Sequence, residues 1–189
     1  MDFRRFFIRL NEDAHPKVAA IARWTEAWIK AAAQNDPEAK SRWMVFAGSP
    51  GCGKTHALKA AYRFLRDHNG MLWPRYYRSP VNVVCYTWSR IVGLGPLSWN
   101  DIEEEVRASK IVLVDDIGSE VDRYKSGEPA ERLRSLLELA TPKWLAMTTN
   151  VLRKDFANTF DARVQSRLER AVCLDLVGVP DYRPMTRGA

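Results

Sequence analysis

Apolar positions follow two rhythms along this chain. Five short runs are nearly continuous in apolar residues: "WMVFA", "VNVVCYTW", "KIVLVDDIG", "KWLAMTTN" and "AVCLDLVG". Short runs without polar alternation read as strands buried on both faces. Between them, apolar residues recur every three or four positions, the signature of a helix with one buried stripe. Val18, Ile21, Ala22, Trp28, Ile29 and Ala32 stripe a helix that starts near Pro16 and ends at "QNDPEAKS". Ala57, Leu58, Ala61, Phe64 and Leu65 stripe a second, in "KTHALKAAYRFLRDH". "DIEEEVRASK" reads as a short helix after a break at "GLGPLSWN". Leu133, Leu136, Leu137 and Ala140 mark another in "EPAERLRSLLELA", and "LRKDFANTFDARVQSRLER" reads as helix in two pieces. "DHNGMLWPRYYRSP" is a turn-rich connection, and no internal repeat or low-complexity block interrupts the pattern.

Strands alternating with helices predict an α/β fold, a parallel sheet with helices on both faces. Such sheets bind ligands at the carboxyl ends of their strands. Three polar elements end three of the predicted strands: the stretch from Gly48 to Thr55, the pair Asp115–Asp116, and Asn150. They are therefore expected at one edge of the sheet.

The first element, "GSPGCGKTH", runs from Gly48 through Ser49, Pro50, Gly51, Cys52, Gly53, Lys54 and Thr55 to His56. It fits G-x-x-x-x-G-K-[ST] and lies between a predicted strand and a predicted helix, as a phosphate loop must. Glycines let successive N–H groups point at phosphate oxygens, and the helix adds the positive end of its dipole. Lys54 can reach β- and γ-phosphates, and the Thr55 hydroxyl can ligate Mg²⁺. ATP or ADP with Mg²⁺ is the expected ligand.

The second element, "IVLVDD", has the look of a Walker B strand. Asp115 is placed to hold Mg²⁺ through its water shell, and Asp116 to orient and polarise an attacking water. Asn150 offers a neutral amide to the γ-phosphate or to that water. "DARVQSRLER" presents Arg163, Arg167 and Arg170 outward, either as a solvated basic face or as an arginine finger directed at a neighbouring subunit.

Composition narrows the class. A chain of 189 residues with 46% hydrophobic content fits one globular domain with a real core. No apolar run approaches the roughly 20 residues that span a bilayer. The basic, aromatic start "MDFRRFFIRLNEDAHP" lacks the apolar length and cleavage site of a signal peptide, so a cytoplasmic protein with no membrane partner is expected. Three widely spaced cysteines, Cys52, Cys85 and Cys173, make neither a disulfide framework nor a zinc site. The net charge of +6 favours an anionic partner, with nucleic acid the natural candidate. Within "WPRYYR", Arg75, Tyr76, Tyr77 and Arg78 can hold phosphates and stack bases, or pack against the sheet edge; the Trp88–Trp99 stretch is a second candidate.

"GSPGCGKTH", "VLVDDIGSE", "MTTN" and "RVQSRL", in this order, resemble the AAA+ ATPase core of DnaC-type replicative helicase loaders, with IstB-type transposition helpers closely similar. The resemblance implies a five-stranded P-loop NTPase sheet of order 5-1-4-3-2. It makes Asn150 sensor 1 and Arg167 the finger, with Arg163 a second arginine near the subunit boundary. It implies an ATP-dependent, head-to-tail homo-oligomer on single-stranded DNA that acts with a replicative helicase in DNA replication. The alternatives are an ATPase helper of a transposase and a P-loop small-molecule kinase. Residues 1–40 are expected to form an arm and helix, 41–180 the ATPase core without a C-terminal helical lid, and 181–189 a tail.

Overall fold

The apolar runs become the strands of one parallel sheet in the computed structural model, which describes residues 16–36, 38–39, 41–67, 82–118 and 127–181. They are β1 (Trp43–Ala47), β2 (Val83–Thr87), β3 (Ile111–Ile117), β4 (Trp144–Thr149) and β5 (Val172–Asp175). Their order is β2-β3-β4-β1-β5, the expected 5-1-4-3-2 read from the other edge. β1 is an inner strand, pairing with β4 on one side and the edge strand β5 on the other.

Helices cover both faces. They are α1 (Pro16–Gln34), α2 (Lys54–Asp67), the single turn α3 (Trp88–Ile91), α4 (Pro96–Ala108), α5 (Glu128–Leu139), α6 (Phe156–Thr159) and α7 (Ala162–Leu168). Alternation along each strand splits the core in two. Met44 and Phe46 of β1 face α1 and α2, packing with Ile21, Trp28, Leu58 and Phe64. Trp43 and Val45 face the other way, toward Leu133, Leu136, Val164 and Leu168. All five β1 residues are buried, which is why the run shows no polar alternation.

Two boundaries differ from expectation. Trp88 leaves the strand and opens α3. The stretch expected to break the chain is partly helical: α4 begins at Pro96, with Gly95 as its N-cap. Proline is suited to that first position, and only the Gly93–Gly95 portion acts as the break. Arg132 of α5 fastens this region. It is 5% exposed, its Nη1 donates to the Val92 carbonyl at 2.7 Å and its guanidinium lies 5.1 Å from the Trp99 ring centroid.

Candidate functional site

The loop after β1 is shaped by where glycine is tolerated. Gly51 takes φ +81°, the left-handed region that other residues rarely adopt. Gly48 has no room for a side chain: a Cβ there would lie 2.8 Å from the Leu176 Cβ. The Gly48 amide donates to the Thr149 carbonyl at 3.2 Å, which ties the loop to the end of β4. Ser49 and Pro50 are exposed, Cys52 is buried, and His56 sits on the exposed side of α2.

Lys54 is only 6% exposed although it is a lysine. Its ammonium donates to the carbonyls of Gly48 (2.7 Å) and Ser49 (2.8 Å) and to Asn150 Oδ1 (3.0 Å). Burial lowers its pKa, and the nearby Cys52, Asp116 and Asp115 oppose that shift. Asn150 then uses its amide nitrogen to donate to Asp116 Oδ1 at 2.9 Å. One neutral side chain thus links the loop lysine to the strand-end acid.

Asp115 and Asp116 stand where the ladder between β3 and β4 slips, between Val114 and Ile117. Asp116 has φ +66°, a strained value for a non-glycine residue. Thr148 fills the slip: its hydroxyl donates to Asp115 Oδ1 (2.6 Å) and accepts from the Asp116 amide (2.8 Å). Thr149 supports the same turn by donating to the Ile117 carbonyl at 2.8 Å. Sequence reasoning missed both threonines. Their signal was a polar pair closing an otherwise apolar strand.

Asp115 is 5% exposed and accepts from the Thr55 hydroxyl at 2.9 Å. Its two donors are hydroxyls, and it forms no ion pair among the described residues. A buried carboxylate outside any ion pair, beside a threonine hydroxyl, fits a divalent cation. Among the described residues no three His, Cys, Asp or Glu side chains form a metal cage.

The remaining predicted residues lie elsewhere. Arg163 and Arg167 line a cavity with Ser41, Trp43 and Thr141, at the amino ends of β1 and β4. The phosphate loop leaves the carboxyl end of β1, so the two arginines stand at the opposite edge of the sheet. Arg75, Tyr76, Tyr77 and Arg78 lie outside the described residues. Trp88 is fully buried and Trp99 is 9% exposed, with their rings 6.5 Å apart edge to face. These two indoles are core, so within the Trp88–Trp99 stretch they are not the side chains that could meet DNA. Cys85 and Cys173 are half-buried, and burial pushes their thiols up to about 11 and about 12. No described helix is long and apolar enough to cross a membrane.

The strand–loop–helix unit and the strand order define a P-loop NTPase fold. Solved structures with this fold include the DnaC helicase loader (18% identity, TM-score 0.63, 91% of this chain and 98% of that one). DnaI is similar to the same degree (16%, 0.63, 93% and 94%). AMPPCP-bound DnaA from Aquifex aeolicus is another (13%, 0.63, 86% and 47%), so the chain spans about half the length of that protein. No protein-family model matches the chain, and no curated protein matches it in sequence.

Proposed function

We propose that this chain is an AAA+ ATPase that acts in DNA replication as a helicase loader or loader-like remodeller. The observation that carries the reading is the position of Asn150, bonded at once to the Lys54 ammonium and the Asp116 carboxylate. The chemistry of a triphosphate meets its attacking water between those two charges.

The backbone from Gly48 to Thr55 cradles the phosphates, and Lys54 sets its charge against the β- and γ-groups. Thr55 and Asp115 hold Mg²⁺, which neutralises charge on the transferred group when bound. Asp116 orients the water and polarises it; Asn150 fixes the acid and the phosphate relative to each other. Arg163 and Arg167 stand away from this chain's own loop, which supports a head-to-tail oligomer in which Arg167 is a finger for the neighbour. Single-stranded DNA and a replicative helicase are the partners of this reading, and Arg75, Tyr76, Tyr77 and Arg78 its DNA contact. A transposase helper shares the mechanism and differs only in the protein that co-purifies.

Nucleotide titration and turnover on variants test the reading. Lys54→Ala is expected to abolish tight ATP binding. Arg167→Ala is expected to bind ATP normally and hydrolyse it about a thousandfold more slowly. Mixing the two proteins restores partial turnover, because an intact Arg167 then faces an intact loop at some boundaries. Normal ATP affinity in Lys54→Ala rejects the nucleotide site. A mixture that co-assembles and stays inactive rejects the shared site. Changing Arg75 and Arg78 to Ala is expected to weaken DNA binding and flatten its salt dependence.

A further inference from the structure

After β5 the chain turns back over the phosphate loop. Leu176 and Val179 are buried in the core shared by α1 and α2. The Leu176 amide donates to the Ala47 carbonyl at 2.7 Å, where β1 runs into the loop. The chain turns at Gly178, and the Val179 amide donates back to the Leu176 carbonyl at 3.4 Å. Lys17 of α1 holds the Val177 carbonyl from outside through its ammonium. Residues 176–181 therefore form a strap with two buried anchors, and its last residue is Asp181.

The strap sets the Asp181 carboxylate against Gly51. A Cβ on Gly51 would lie 1.8 Å from Asp181 Oδ1 and 2.1 Å from its Cγ, so the carboxylate fills the place a side chain would take. Two residues on, a Cβ on Gly53 would meet nothing within 4 Å. The loop is thus open at Gly53 and covered at Gly51, and the cover is an acid. Backbone N–H groups, the first turn of α2 and the Lys54 ammonium together draw anions to this loop. An Asp181 carboxylate beside Gly51 sits in that same field. A phosphate that enters either displaces it from the field or faces it as a like charge, and both outcomes oppose binding.

We propose that Asp181 is a competitor of the nucleotide phosphates built into the chain, which lowers the affinity of the loop and speeds nucleotide release. The inference rests on the nucleotide reading of the loop given above. Asp181 belongs to none of the motifs that defined that site, and reaches it only through the strap.

The test compares the full chain with its Asp181→Asn variant, which keeps the shape and removes the charge. Each is titrated by calorimetry with ATP and Mg²⁺, and separately with tripolyphosphate. The variant is expected to bind both about fivefold or more tightly, the effect of one like charge at ~4 Å even in bulk water. Because Asp181 is exposed, the gain should shrink as salt is raised to about 0.5 M. Stopped-flow release of ATP should slow in the variant. Equal or weaker ATP binding by Asp181→Asn overturns the competitor and leaves the nucleotide site standing. A gain for ATP with none for tripolyphosphate also overturns it, since the carboxylate then acts on the nucleoside. If neither protein binds ATP or tripolyphosphate, the nucleotide reading itself fails and the competitor falls with it. The contact is read separately, without ligand. Gly51→Ala is expected to lower the melting temperature through both the clash with Asp181 and the backbone strain at φ +81°. With Asp181→Ala present only the strain remains, so the loss should be smaller. Losses that simply add would overturn the contact.

Discussion

Lys54 and Asn150 are 96 residues apart in sequence, and the ammonium of one donates to the side-chain oxygen of the other at 3.0 Å. The contact exists because β1 and β4 are adjacent and parallel, so the residues that follow their carboxyl ends meet. Asn150 passes the connection on to Asp116 at 2.9 Å. An amide can do this because it accepts with one atom and donates with the other. Breaking the relay at each member has a different expected consequence.

Asn150→Ala removes an acceptor from Lys54 and a donor from Asp116 and leaves the loop in place. Turnover is expected to fall about tenfold or more, the scale of one or two lost hydrogen bonds. Nucleotide affinity should change by less than about threefold. Steady-state kinetics beside a binding titration checks this, and a loss of affinity equal to the loss of turnover would assign Asn150 to binding alone.

Asp116 combines a catalytic position with a left-handed backbone. Asp116→Asn is expected to keep ATP binding and lose about two orders of magnitude in turnover, the scale of general-base assistance. Asp116→Gly should lose turnover too, yet relieve about 1 kcal/mol of backbone strain. Its melting temperature is expected to be no lower than that of the unaltered chain. A clear drop in both variants would mean that the acid is there for stability.

Asp115 and Thr55 share a hydrogen bond and are the proposed Mg²⁺ ligands. Chelation with EDTA should stop turnover and Mg²⁺ should restore it. Asp115→Asn is expected to raise the Mg²⁺ needed for half-maximal turnover by about tenfold or more. An unshifted Mg²⁺ titration would remove Asp115 from the metal site.

Arg132 is buried against Trp99 and caps two backbone carbonyls, Ile91 and Val92. Arg132→Ala takes the side-chain donor from the Val92 carbonyl, leaves the Ile91 carbonyl with the Leu94 amide alone, and opens a hole beside the indole. The expected loss is about 2–4 kcal/mol, seen as a melting temperature lower by roughly 5–15 °C. Thermal unfolding followed by circular dichroism checks it, and a change within 1 °C would show that the cluster relaxes around the gap.

The thiol of Cys85 is pushed up to about 11 by burial, from an ordinary value of 9.0. Only the thiolate alkylates, so at pH 8 the folded chain should label there about a hundredfold more slowly than the unfolded one. Between pH 9 and 11 the unfolded chain has lost a proton that the folded chain keeps, so this group's contribution to stability falls as pH rises through that window. Alkylation read by mass spectrometry against pH tests both statements, and equal labelling rates at pH 8 would refute them.

The sequence by itself determined whatever depends on neighbours in the chain. Gly48, Gly53, Lys54 and Thr55 act through consecutive backbone units, so their spacing alone specifies the loop. "WMVFA" and "LAMTT" are apolar on both faces, which only a central strand requires, and the stripe from Ala57 to Leu65 has one helical phase. Cross-strand and cross-layer relations were decided by tertiary structure. Thr148 became a partner of both acids because the β3–β4 ladder slips at that point, and no local pattern encodes a register. Trp88 and Trp99 beside Arg90 look alike in sequence whether they face DNA or a core; packing against Arg132 and each other settled it. Arg42 is an ordinary surface charge in the sequence, and only the close approach of the chain before β1 to the end of α7 places it with Arg170 around one cavity.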